Sequence, residues 1–116
     1  MQKNSIASLE ALLARGGDKP SLRFALASRH FAEGRAEVAA RHAQAAVALD
    51  PDYSAAWKLL GQAHTHCGNS AAAIDAYEQG IAVAQRRGDQ QAAKEMAVFL
   101  KRLRAARDPA DSTPQS

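Results

Sequence analysis

The chain has 116 residues, 47% of them apolar and many of those alanine, so it has room for one domain with a modest core. Its single cysteine, Cys67, excludes an internal disulfide, and the sequence has no apolar run long enough to cross a membrane. The formal net charge of +3 is concentrated in residues 86–107, which hold seven basic and two acidic side chains. The segment 1–19 carries charges throughout and predicts no signal peptide, so we expect a soluble cytoplasmic protein.

Apolar residues at spacings of three and four predict six helices and no strand. We expect Asn4 or Ser5 to cap the first helix, the second to run from Pro20 to about Ala32, and the third to end at about Leu49. The turns between helices are marked by residues that favour turns, namely Gly16-Gly17, Gly34, Asp50-Pro51-Asp52, Gly68-Asn69 and Gly88-Asp89.

The turn before the fourth helix and the end of the chain give two further predictions. The Asp50-Pro51-Asp52 turn is also expected to supply the N-cap of the fourth helix. Residues 108–116 are polar and contain two prolines, so we expect them to be disordered. The sequence therefore predicts an all-α fold of about six helices followed by a short tail.

A single constant shift of the sequence against itself aligns the second and third helices with the fourth and fifth. The matched pairs are Leu26 with Leu60, Ala27 with Gly61, His30 with His64, Gly34 with Gly68, Ala39 with Ala73, Ala43 with Tyr77, Ala46 with Gly80 and Val47 with Ile81. The shift equals the period of about 34 residues at which tetratricopeptide repeats place successive helix–turn–helix units.

The second copy resembles the tetratricopeptide repeat (TPR) family closely, in the manner of a small bacterial TPR protein. Trp57, Leu60, Gly61 and His64 stand where the family pattern has W-x-x-L-G-x-x-Y, and the first copy is weaker because Arg23 replaces the tryptophan. The later pattern positions are filled by Ala73, Tyr77 and Gly80, and Pro51 precedes the second copy. The small residues let paired helices approach closely, while the large ones fill the space around them.

The resemblance implies antiparallel helix pairs stacked as a short right-handed solenoid. We expect a single TPR-like domain over residues 1–107, divided into a half repeat at 5–17, repeats at 20–53 and 54–87, and a capping helix at 89–107. The outward face of that last helix is polar, as a solvating cap requires.

The family uses the first helix of each pair to line a concave groove that holds a peptide or a helix. Carried onto this sequence, the resemblance implies groove positions at Phe24, Ser28, Phe31, Lys58, Gln62, Thr65, His66, Met96 and Phe99. Some members clamp a terminal carboxylate with asparagine and basic residues, but the corresponding positions here offer only Lys58 as a cation. An apolar or amphipathic segment suits these residues better, unless the apolar side chains pack against one another.

The sequence contains no arrangement typical of an enzyme. His64, His66 and Cys67 are zinc-ligand types, but neighbours two and three apart on a helix do not converge, and His64 occupies a packing position. Cys67 lacks the base and acid that a nucleophile requires, and no phosphate-binding glycine loop is present. We therefore expect no catalytic residue, no metal site and no cofactor.

The basic sixth helix offers an alternative. Lys101, Arg102 and Arg104 could contact nucleic acid or an acidic surface, although a solvated face is favoured because no aromatic residues interleave with the charges in a stacking arrangement. The preferred prediction is a non-catalytic adaptor for a protein or peptide, with nucleic acid and membrane disfavoured and a monomer favoured over an oligomer.

Overall fold

The computed structural model describes residues 5–107 and places them in six helices without a strand. The helices are α1 (Ile6–Ala14), α2 (Pro20–Ala32), α3 (Ala36–Leu49), α4 (Ser54–His66), α5 (Ser70–Arg86) and α6 (Gln90–Arg107). The predicted all-α fold is confirmed. The predicted disordered tail at 108–116 and the alternative cap Asn4 lie outside the described residues, and the division into repeats stays a prediction.

Four of the helices end in the same way. Each is followed by a glycine with a left-handed backbone, and the φ angles are 85° at Gly16, 84° at Gly34, 78° at Gly68 and 76° at Gly88. A side chain at such a position would be strained, so glycine is the residue that lets the chain reverse directly after each helix. These turns bring consecutive helices together as antiparallel neighbours.

The observed N-caps agree with the predicted ones only in part. Ser5 caps α1 as predicted, because its hydroxyl accepts a hydrogen bond from the backbone N–H of Ser8 at 3.2 Å. The prediction that Asp50-Pro51-Asp52 caps α4 is wrong, since the N-cap residue is Tyr53 and makes no side-chain cap bond. Asp50 instead accepts the N–H of Asp52 at 3.0 Å, which closes the turn itself.

The core runs the length of the stack. Helices α2 and α3 pack as one pair and α4 and α5 as another, while α3 also packs on α4 and α5 on α6. One buried cluster joins α2, α3 and α4 with Ala76 of α5 and consists mainly of alanine, and a second joins α5 to α6 around Tyr77 and Met96. The first helices of successive units, α2, α4 and α6, consequently lie side by side on one face.

Gly61 in α4 permits a very close contact with the paired helix α5. A Cβ atom at this position would lie 2.6 Å from the Tyr77 ring, far inside van der Waals contact. Tyr77 is 1% exposed and is among the largest fully buried side chains. At the equivalent point of the preceding pair, Ala27 and Ala43 are both fully buried, so two methyl groups replace the combination of glycine and ring.

We expect Gly61→Ala to lower the free energy of unfolding by about 1–2 kcal/mol, because the added methyl group must displace the Tyr77 ring. The direction of this change is diagnostic, since in an unobstructed helix the same substitution raises the free energy of unfolding by about 1 kcal/mol. Urea denaturation followed by circular dichroism measures the free energy of unfolding of the native chain and of each variant. Ala27→Gly is the matched control and should also destabilise, because no ring occupies that space; a stabilising Gly61→Ala would contradict the contact.

Candidate functional site

The face formed by α2, α4 and α6 carries the predicted groove residues, and we call it the groove. Thr65 and His66 are exposed at the end of α4, and the remaining predicted residues other than Met96 are partly buried, namely Phe24, Ser28, Phe31, Lys58, Gln62 and Phe99. The groove is therefore a real surface of the molecule, although its aromatic residues are not freely displayed.

Met96 does not line the groove, so that prediction is wrong. The side chain is fully buried beneath Gly80, where a Cβ atom would lie 2.5 Å from the Met96 sulfur. Helix α6 buries Ala93, Met96 and Leu100 towards α5, in place of the positions that the repeat pattern would use. The physical reason is that the apolar stripe of α6 packs against the helix that precedes it, where Gly80 leaves room for the Met96 sulfur.

The groove's three phenylalanines each pack against another ring. Phe24 lies 5.1 Å from Tyr53 between ring centroids, and Phe31 meets the imidazole of His66 edge-on at the same distance. Phe99 stacks on Tyr77 at 5.6 Å. The phenylalanines therefore do not stack on one another, as the alternative expectation required, and each packs instead against Tyr53, His66 or Tyr77.

Lys58, the only cation at the family's clamp positions, is neutralised. Its Nζ donates to a carboxylate oxygen of Glu95 at 2.6 Å, and this contact joins α4 to α6 across the groove. Hydrogen bonds from Lys58 and Gln91 hold the pKa of Glu95 below its ordinary value. Both side chains are partly solvated, so the ion pair adds little stability but removes the charge that a terminal carboxylate would need.

A cavity of about 370 Å³ opens between α4 and α6, and we call it the α4–α6 pocket. It unites four predicted groove residues, Gln62, Thr65, His66 and Phe99, with four that the groove prediction did not include, Tyr77, Arg102, Leu103 and Ala106. A sequence signal for the additional α6 residues existed. Phe99, Leu103 and Ala106 recur at helical spacing, but the predicted groove positions stopped at Phe99.

The pocket floor is held by contacts with neighbouring groups. Tyr77 is buried, and its surroundings raise the pKa of the phenol to about 12, with a smaller opposing effect from a hydrogen bond to Thr65. The Thr65 hydroxyl donates to the Gly61 carbonyl at 2.7 Å. Because Thr65 is tied to the backbone and Tyr77 is stacked on Phe99, the pocket is formed before any ligand arrives.

The three candidate residues of the basic patch have different surroundings. Arg104 forms an ion pair with Glu78, whereas Lys101 is exposed. The Arg102 guanidinium carbon lies 6.0 Å from the centroid of the Phe99 ring, at the rim of the α4–α6 pocket. Within residues 5–107, neither Lys101 nor Arg102 is paired with a carboxylate.

Two further histidines occupy the interface between α2 and α3. The rings of His30 and His42 stack with centroids 5.6 Å apart. Arg35 donates to Nδ1 of His30 at 2.9 Å and Arg23 to Nδ1 of His42 at 3.1 Å, so both rings are neutral acceptors at that atom. Burial, reinforced by the nearby arginines, lowers the pKa of both.

The two histidines of α4 have different surroundings. His64 is partly buried with an unpartnered Nδ1, its pKa is lowered by burial, and His66 points to Phe31 on the groove side. Across the described part of the chain, no three ligand-type residues come together around a point that could hold a metal ion.

Comparison with known proteins gives a consistent result. A sequence model described as tetratricopeptide repeat matches residues 30–97. A TPR repeat-containing protein of Pseudomonas aeruginosa is 51% identical over 102 residues, which cover 88% of this chain and 97% of that protein. A heat-shock protein cognate co-chaperone of Aspergillus fumigatus is 38% identical over 90 residues, 73% of this chain but 26% of the co-chaperone. The solution structure of a Bordetella parapertussis protein superimposes with a TM-score of 0.76 and 44% identity, covering 92% of both chains.

We expect the free energy of unfolding to fall as the pH drops below about 6.5, the ordinary histidine value. The pKa values of His30, His42 and His64 are lowered in the folded chain, so the unfolded chain takes up protons first. Urea denaturation at pH values from about 7.5 to about 5.5 stays above the carboxylate range. His42→Gln should flatten the dependence, because it removes one of the groups whose pKa is lowered in the folded chain. A slope that His42→Gln does not alter would contradict this origin.

Proposed function

The chain belongs to the tetratricopeptide repeat family, and from that premise we propose that it is a non-catalytic adaptor that binds a peptide or helix of another protein in the groove. The family match itself supports a protein–protein interaction scaffold. The proposal that a peptide or helix binds in the groove rests on one observation, the preformed α4–α6 pocket.

The pocket has the properties of a recognition site. Its volume of about 370 Å³ lies within the range of small ligand pockets, and Tyr77, Phe99 and Leu103 give it an apolar interior. Gln62 and Thr65 stand at its α4 side, and the Gln62 amide can hydrogen-bond to a bound segment, whereas the Thr65 hydroxyl already donates to Gly61. In the other half of the groove, Phe24 and Phe31 already pack against neighbouring rings, so they are less available to a bound segment.

The relatives support an interaction role of this kind. One of them is a heat-shock protein cognate co-chaperone, of which this chain matches about a quarter, so the client of that protein does not transfer to this one. We propose a cytoplasmic site of action and a monomer, as the sequence led us to expect. No helix within residues 5–107 is long and apolar enough to cross a membrane.

Nucleic-acid or acidic-surface binding through α6 is the alternative function. The ion pair of Arg104 with Glu78 and the position of Arg102 at the pocket leave Lys101 as the one residue of the three that faces solvent without such a contact. On a heparin column we expect weak retention, lost at moderate salt and little changed by Lys101→Gln. Strong retention that Lys101→Gln, Arg102→Gln and Arg104→Gln each reduce would favour the alternative.

Filling the pocket should abolish adaptor function. Ala106 lines the pocket and is exposed, so Ala106→Trp can occupy the cavity without removing a core contact. We expect this variant to lose at least about tenfold of its affinity for the native partner, because the indole takes the space of the partner's anchor. The measurement is affinity capture from the native cell extract with quantitative mass spectrometry.

Ala105→Trp is the matched control, since it adds the same indole to the adjacent exposed position outside the pocket. Both variants should unfold at the urea concentration of the native chain. Equal capture by the native chain and by Ala106→Trp would refute binding in the groove. Once a partner segment is in hand, its titration should shift the amide resonances of Gln62, Thr65 and His66.

A further inference from the structure

We propose that the α4–α6 pocket takes an internal apolar side chain of a partner segment whose neighbouring residue is acidic, and that Arg102 binds that carboxylate. This inference rests on the proposed adaptor function and specifies the chemistry of the partner. It differs from capture of a chain terminus, because no free terminal carboxylate is required.

The size and lining of the pocket point to a single apolar anchor. Tyr77, Phe99, Leu103 and Ala106 supply most of its wall, and about 370 Å³ accommodates one leucine or phenylalanine side chain with room for its backbone. The pocket lies towards the ends of α4 and α6. Nearer the helix starts, the Lys58–Glu95 ion pair crosses between the same two helices, so an anchor has one open place to enter.

The lining of the pocket has no acidic residue to balance its arginine, Arg102. Arg102 has no acidic partner among the described residues, whereas the nearby cations Lys58 and Arg104 are each paired. Its guanidinium group lies beside the Phe99 ring, which restrains the side chain and leaves its N–H donors available. An acidic residue next to the anchor would complete an Arg–carboxylate pair that the free protein lacks.

The position of Arg102 decides on which side of the pocket the acidic residue lies. Arg102 stands in the second half of α6, and Gln62 and Thr65 of α4 line the other side of the pocket. A carboxylate is therefore favoured on the α6 side, because the α4 side of the pocket supplies no arginine or lysine. The acidic residue should face α6 while the segment's backbone faces Gln62 and Thr65.

A terminal carboxylate clamp lacks its cations in this chain. The corresponding positions are occupied by Phe24, Ser28, Gln62, Ala92 and Met96, and Met96 is fully buried. Lys58 is the remaining cation and is held by Glu95 at 2.6 Å. Charge recognition in this groove consequently falls to Arg102.

The test titrates the full chain with the blocked peptide acetyl-Gly-Ser-Glu-Leu-Glu-Ser-Gly-amide and follows amide resonances by NMR. We expect saturable shifts at Gln62, Thr65 and Leu103. Arg102→Gln should raise the Kd about tenfold, because a charge-assisted pair is lost. Lys101→Gln makes the same charge change on the same helix outside the pocket and should alter the Kd less than about twofold.

Two altered peptides separate the contributions of charge and anchor. Replacing both glutamates by glutamine should weaken binding to the native chain about tenfold. The Arg102→Gln substitution should then leave the Kd of this glutamine peptide unchanged. Replacing the leucine by alanine should abolish the pocket shifts. Equal losses in Arg102→Gln and Lys101→Gln would overturn the proposal, since they would indicate general attraction to a basic helix.

The remaining outcomes distinguish this inference from the proposed function. If the glutamine peptide binds as tightly as the acidic one, selection of acidic segments is refuted while binding in the groove stands. If Ala106→Trp still captures the native partner, the groove itself is refuted. Pocket resonances of the free chain that move on dilution would identify a second copy as the occupant. Resonances that move when Asp108 and Asp111 are changed to asparagine would identify the chain's own C-terminal segment, and either result overturns the proposal.

Discussion

The missing Cβ atom of Gly61 is the constraint on which the rest of this structure depends. It lets the Tyr77 ring lie directly against α4, and the ring in turn stacks on Phe99 of α6. One atom's absence therefore sets the spacing of a helix pair and also positions the next helix. The same ring forms the floor of the α4–α6 pocket, so packing and recognition share a single side chain.

Much of the fold could be predicted because its signals are local or periodic. Glycines with left-handed backbones mark the helix ends, Pro20 opens α2, and the internal sequence repeat relates the two central helix pairs. Such features depend on backbone sterics and on neighbours within a turn or two, which a sequence displays directly. Ser5 as a cap belongs to the same class, whereas the turn at Asp50 shows that one aspartate can serve either the turn or the next helix.

The site was harder to predict because it depends on how one helix rotates. The predicted groove positions follow the repeat pattern, which carries the orientation of α2 and α4 over to α6. In the structure α6 is rotated instead, so that Met96 packs against α5 while Arg102 and Leu103 lie at the surface beside Phe99. The partner of Lys58 was equally hidden, because Glu95 lies on a helix far along the sequence. Both features arise from tertiary contacts that no local pattern encodes.

The dependence of the pocket on α6 has an energetic consequence. In a solenoid each unit is held mainly by its neighbours. Within residues 5–107, α6 packs on α5 and α4, and it supplies half of the residues that line the pocket. Local opening of this helix, which proceeds at a lower free energy than global unfolding, would dismantle the pocket while leaving α2, α3 and α4 folded. Occupancy of the pocket and amide protection of α6 are therefore thermodynamically linked, so a bound partner would hold this helix in place.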